Sequence, residues 1–167
     1  MMRRIGGFSP FVVTMALLLA ACDSGQQADA TKNVDRITLG EHVNLMDFGE
    51  YVVHVNAITT SRVPADVARN LGITRSDNRA MLNVVVTRKV DGSSGASVKA
   101  SVRGTAVNLV GQLKSMAIRE VTEHDATYYI GEVVVVDGET LLFDIDVTPE
   151  GESQTYYLRY KGQFYSS

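Results

Sequence analysis

From residue 36 onward, apolar and polar residues alternate with a period of two, the pattern of strands with one buried face. The alternation is cleanest over 140–148. There Leu141, Phe143, Ile145 and Val147 point one way, and Thr140, Asp144, Asp146 and Thr148 the other. Val98, Ala100, Val102 and Ala106 oppose Ser97, Lys99, Ser101, Arg103 and Thr105, and Tyr51, Val53, Val55 and Ala57 make a third such face. Leu82 to Val86 and Val133 to Val136 read as continuous apolar runs, which predict strands covered on both sides.

Turn chemistry separates these runs. Asp91-Gly92 with the following Ser-Ser-Gly, Asp137-Gly138, and Pro149-Glu150-Gly151 are hairpin or turn signals, and Glu123-His124-Asp125 is a weaker polar gap. One short helix is predicted, with Pro64 in its first turn, Val67, Ala68 and Leu71 on one side, and Gly72 ending it. Strands are predicted near 36–39, 43–47, 51–60, 81–90, 96–108, 113–122, 126–136, 140–148 and 155–165. Strands joined by hairpins, with a single helix, predict an all-β, antiparallel sandwich of immunoglobulin-like shape; a small β-barrel is the alternative. The mature chain's 21 Val, 6 Ile and 12 Thr suit such pleated surfaces.

The first segment is of another kind. Arg3 and Arg4 precede an apolar run from Phe11 to Ala21, too short for a comfortable membrane span, so residues 1–21 read as a secretory leader. The run ends in Leu19-Ala20-Ala21-Cys22, which resembles the bacterial lipobox. That resemblance implies cleavage before Cys22, acylation of Cys22, and a membrane anchor on the periplasmic side. It also accounts for a lone Cys in an exported chain. Asp23 resembles the signal that retains lipoproteins in the inner membrane of enteric bacteria, although other lineages sort differently, and the choice of membrane stays open. Residues 22–35 form the lipidated Cys and a polar tether, and 36–167 a single domain. The twelve residues 23–34 have an r.m.s. reach of roughly 17–21 Å and a limit of about 40 Å.

Several of these stretches resemble one family. Tyr51-Val52-Val53-His54-Val55-Asn56-Ala57-Ile58, Pro64-Ala65-Asp66-Val67-Ala68, Leu82-Asn83-Val84, Asn108-Leu109-Val110-Gly111-Gln112 and Gln163-Phe164-Tyr165 are similar to the domain-of-unknown-function 4426 family of small exported bacterial proteins. The similarity spans roughly 36–165. It supports the domain boundaries and implies no activity. Val55 stands where the family often has an aromatic, and a lipobox is not general in it.

Charge changes the picture more than composition does. The net charge of -3 and pI near 5.6 argue against a nucleic-acid partner. Two of the 16 basic residues and none of the 19 acidic ones leave with the leader, so the mature chain carries -5. Within the domain, Arg62 through Arg119 holds ten basic residues against three acidic, a balance of +7. Glu120 through Leu158 holds ten acidic residues and no Lys or Arg, a balance of -10. Cross-strand pairing of these stretches is the expectation; the sharper reading is a surface dipole. In that reading Arg62, Arg69, Arg75 and Arg79 make a basic surface for anionic lipid or an acidic envelope protein.

Candidate chemistry is sparse. His42, His54 and His124 sit on different predicted segments with no metal-ligand spacing. His54 and Asn56 share the polar face of one strand and are the candidate polar site, with Tyr51 at its rim. A satisfied histidine on the less buried face is the plainer reading. No Gly-x-Ser-x-Gly elbow is present, and a lipidated Cys22 is not a nucleophile. Asp144 and Asp146 with Glu150 and Glu152 could offer oxygen ligands, but lack the calcium-loop spacing and read as a solvated strand face. The late aromatics Tyr156, Tyr157, Tyr160, Phe164 and Tyr165 read as core closure, or alternatively as an edge that takes a partner strand. No cofactor is implied. The sequence therefore points to a non-enzymatic accessory module of the cell envelope, with a small hydrolase or ligand-binding protein using His54 and Asn56 as the alternative.

Overall fold

The computed structural model describes residues 35–39, 43–91 and 95–166. The leader, Cys22, nearly all of the tether and His42 lie outside them. The elements run β1 (Ile37–Thr38), β2 (Leu45–Asp47), β3 (Tyr51–Thr59), a 3-10 turn (Thr60–Arg62), α1 (Ala65–Leu71), β4 (Arg79–Arg88), β5 (Ala96–Ser97) and β6 (Ala100–Asn108). They continue β7 (Leu113–Lys114), β8 (Ile118–Glu123), β9 (Ala126–Val134), β10 (Glu139–Pro149) and β11 (Tyr156–Phe164).

Two sheets pack face to face as a sandwich, and no closed barrel forms. One has the order β1-β11-β10-β6-β7, the other β2-β3-β4-β9-β8 with β5 beside β4. Pairing is antiparallel except for β1, which runs parallel to β11 with Ile37 opposite Leu158. The core between the sheets is built from the period-two faces. Leu141, Phe143, Ile145, Val147 and Leu158 of one sheet and Val53, Leu82, Val84 and Val86 of the other are fully buried. Burying each such side chain contributes roughly 1.5–3 kcal/mol.

Two predicted strands each divide in two, because the chain changes sheets within them. The run 96–108 begins as β5 against β4 and continues as β6 against β10. At the crossing, the Val98 amide donates to Val86 O (2.9 Å) while Lys99 O accepts from the Glu150 amide (2.8 Å). The run 113–122 likewise begins as β7 on β6 and resumes as β8 on β9. Met116, between them, lies where a side chain on Gly104 or Gly131 would fall. A Cβ on Gly131 would sit 2.9 Å from Met116 Cγ, and one on Gly104 2.8 Å from Ile118 Cδ1. Facing glycines in the two sheets thus make room for the apolar plug that closes this side.

The two apolar runs are not covered on both sides throughout. Val133 and Val135 are buried, but Val134 and Val136 are 53% and 63% exposed. In β4, Val85 and Asn83 are only half-buried. Among the described residues the outer face is covered where the helix sits: Val63, Ala68 and Ile73 close over Met81 and Ile130 in a second, smaller core. Val67, placed on one side of the helix with Ala68 and Leu71, is exposed where Ala68 is buried. Pro64 stands at the N-cap, and Gly72 ends α1 in the left-handed region (φ 64°). Buried Thr60 fastens this connection, its hydroxyl lying 2.9 Å from Thr74 O and accepting from the Ser76 amide (3.0 Å). Of the late aromatics, Tyr156, Tyr160 and Phe164 close the core, Tyr156 stacking on Phe48 (4.2 Å) and Phe164 meeting Phe143 edge-on, whereas Tyr157 lies under Arg36 and Tyr165 is exposed. β11 lies between β1 and β10 rather than at the edge.

Candidate functional site

His54 and Asn56 do share the outer face of β3. Opposite them on β4 stand Val85 and Asn83, and Leu45 of β2 flanks His54 on its other side. His54 Nε2 lies 3.5 Å from Thr87 Oγ1, a long contact. The Oδ1 atom of Asn83 is buried without a hydrogen-bond partner. Tyr51 does not belong to this strip. It is buried on the inner face, where its hydroxyl donates to Glu152 Oε1 (2.9 Å) and the Arg88 guanidinium covers its ring at 5.3 Å. Burial, and then the bond to Glu152, raise the phenol's pKa. His124 occupies the β8–β9 turn with φ 54°, remote from His54. Among the described residues no three His, Cys, Asp or Glu side chains gather in a metal-binding group.

The acidic pair on β10 is matched by cations. Arg159 holds Asp144 with two bonds (2.6 and 2.8 Å), and Arg36, just before β1, reaches Asp146 at 2.6 Å. Arg36 also lies over the Tyr157 ring at 5.7 Å. The bond to Asp144 raises the Arg159 pKa. These carboxylates are therefore spent on closing strands, and Glu152 is spent on Tyr51.

The opposed charge stretches meet in part across the sheets: five of the ten basic residues of 62–119 reach acids of 120–158. Arg79 and Arg119 reach Glu132 at 3.9 Å, Lys99 reaches Glu120 (3.3 Å), Arg88 reaches Glu152 (3.8 Å), and Lys114 reaches Glu139 (2.8 Å). Arg79 thereby leaves the basic surface predicted for it. Arg62, Arg69 and Arg75 are exposed around α1 and form no ion pair among the described residues. Arg75 Nη2 donates to Ser61 O (2.6 Å), which fixes its stem against the 3-10 turn.

A second feature escaped the sequence reading. The β6–β7 and β9–β10 hairpins stand side by side with an open groove of about 320 Å³ between them, lined by Asn108, Leu109, Val110, Val136 and Asp137 to Thr140. His54 and Asn56 do not line it. Leu109 is 66% exposed, Val110 87%, and Val136 63%. The signal was present in Asn108-Leu109-Val110-Gly111-Gln112, which sets two aliphatic residues in a turn where polar ones are usual.

Comparison with known proteins bears on the fold and the family. A crystal structure of a DUF4426 family protein from Pseudomonas aeruginosa PAO1 is 28% identical, with a TM-score of 0.62 over 74% of this chain and 94% of that one. A copper-bound variant of FetP from uropathogenic Escherichia coli is 9% identical (TM-score 0.52), covering 74% of this chain and 90% of its own. FetP as isolated after expression in the periplasm of E. coli is 12% identical (TM-score 0.51), covering 74% and 93%. The FetP likeness is one of fold. No curated protein matches the sequence. The family model for the domain of unknown function DUF4426 matches residues 45–167, from β2 through β11, and the chain belongs to that family.

Proposed function

We propose that this protein is a lipid-anchored, non-enzymatic binding module on the periplasmic side of a bacterial membrane, meeting an anionic partner through Arg62, Arg69 and Arg75. The carrying observation is that these arginines stay exposed and unpaired among the described residues, whereas five other cations of the same stretch are matched to acids of 120–158. Guanidinium groups without a carboxylate partner are ready for phosphate or carboxylate oxygens. Leu19-Ala20-Ala21-Cys22 supports the anchor, and the tether supports short-range reach from a membrane. The FetP variant carried copper. Here His54 has Thr87, Asn56 and Asn83 for polar neighbours, a set of neutral donors that gives copper no support.

The test is co-sedimentation of the Cys22→Ser chain, which lacks the anchor, with vesicles of zwitterionic lipid, with and without phosphatidylglycerol. In that background Arg69→Glu with Arg75→Glu is expected to remove the anionic-dependent binding, which without the reversals weakens with salt. Binding that ignores both salt and the charge reversal refutes the arginine surface.

A further inference from the structure

Each sheet of the sandwich ends in two edge strands, whose outward amides and carbonyls have no ladder partner. Three of the four edges are short: β1 and β7 have two residues each, and β2 has three. The fourth, β8, runs for six residues and pairs with β9 on one side. It holds no Pro or Lys, and its register with β9 is unbroken by a bulge. Among the described residues, no backbone group outside that ladder bonds to it. Neither shortness, proline, lysine nor a bulge therefore protects this edge.

The β8–β9 hairpin fixes which backbone groups are free. Glu123 and Ala126 flank a two-residue turn and so form a hydrogen-bonded pair. Alternation then aims the backbone groups of Arg119, Val121 and Glu123 at β9, and those of Ile118, Glu120 and Thr122 outward. A second strand can bond here when its own outward residues stand opposite these. For an antiparallel copy of β8, two registers meet that condition over five residues. One sets Glu120 against Glu120, like charges directly opposed. The other sets Val121 against Val121, Glu120 against Thr122, and Arg119 against Glu123 on both sides of the axis. Arg119, Val121 and Glu123 then occupy non-hydrogen-bonded positions, where facing side chains come closest.

From this pattern we infer that β8 is a dimer edge, along which two copies of the chain join sheets antiparallel about a two-fold axis at Val121. Charge complementarity selects a second copy as the occupant. Glu123 is exposed and forms no ion pair among the described residues. The Arg119 side chain is 43% exposed. It donates to Leu71 O through Nη2 and lies 3.9 Å from Glu132, too far for a hydrogen bond, so donors remain for a second carboxylate. Val121 packs against the second core, which places Arg119 and Glu123 on the outer face with it. A two-fold axis normal to the sheet keeps outer face with outer face, so each Arg119 meets Glu123 of the second copy. Such an interface closes at two copies and covers the long free edge. The inference is independent of the arginine surface proposed above.

The test is sedimentation equilibrium of the Cys22→Ser chain from micromolar to millimolar concentration. A dimer is expected, and a monomer throughout overturns the inference. Arg119→Glu alone opposes glutamates across the axis, and Glu123→Arg alone opposes arginines. Each should raise the dissociation constant of the dimer by roughly tenfold or more. An equimolar mixture of the two variants restores both ion pairs, so it should yield a heterodimer at concentrations where neither variant pairs with itself. The mixture also separates interface from folding, because a variant that had simply unfolded would not recover. If dimers persist through both reversals, or the mixture stays monomeric, β8 is not the interface. Val121→Cys, the one cysteine in the Cys22→Ser background, should cross-link to its copy under mild oxidation faster than Thr122→Cys does. Equal rates overturn the axis at Val121 and the inference with it.

Discussion

Lys114 and Glu139 offer a sharp test of how the two hairpins are held. Their side chains are 17% and 9% exposed and 2.8 Å apart. Burial works against the Glu139 carboxylate, but hydrogen bonds from Lys114, the Val136 amide and Asn108 outweigh it and hold its pKa below the ordinary value of 4.5. Lys114→Met leaves a nearly buried carboxylate with only neutral donors, a change that costs about 3–5 kcal/mol in buried pairs. Glu139→Gln strands the ammonium in the same way. The double variant removes both charges and should cost far less than the two single costs added, giving a coupling of about 2–3 kcal/mol.

Urea unfolding, followed by circular dichroism or by the emission of the seven tyrosines in this tryptophan-free chain, measures all four corners of the cycle. The pH dependence gives an independent check. With its folded pKa lowered, Glu139 adds stability that is fully present above the unfolded carboxylate value and is lost as pH falls through the folded one. In Lys114→Met the folded pKa rises, so its deficit against the unaltered chain should shrink on acidification. A coupling under about 0.5 kcal/mol, as exposed pairs show, or a deficit unchanged at acid pH, would refute this account.

Two further outcomes can be checked directly. Phe143 is fully buried and packs against Phe164 and Tyr160, so Phe143→Ala should destabilise the domain by about 3–5 kcal/mol in thermal or urea unfolding. Cys22→Ser should abolish acylation, read as loss of the lipid mass increment and release of the chain from the washed membrane fraction; retention with the mass unchanged would remove the anchor from the proposal.

The strip around His54 and Asn56 was legible because alternation along a strand places residues two apart on one face. Its lack of convergence was not, because Thr87 and Asn83 come from another strand. The rim position given to Tyr51 failed because alternation sets Tyr51 with Val53 and Val55 on the inner face, and there it is buried. The groove was missed because its walls are two turns far apart in the sequence, brought side by side by the pairing of β6 with β10.

What the sequence by itself determined is therefore local. Which side chains share a face, where Gly138 and Gly151 allow turns at φ 72° and 83°, and where Gly72 stops the helix all depend on neighbours a few residues away. Tertiary structure decided the rest: that 96–108 and 113–122 each serve two sheets, and that Arg36 meets Asp146 from 110 residues away. It also decided which charges of the two stretches meet: Arg79, Arg88, Lys99, Lys114 and Arg119 reach acids of 120–158, whereas Arg62, Arg69, Arg75 and Arg103 form no ion pair among the described residues. Ion pairs form at distances of a few ångströms, and which residues come that close is set by strand register, a property of partners the local pattern does not contain.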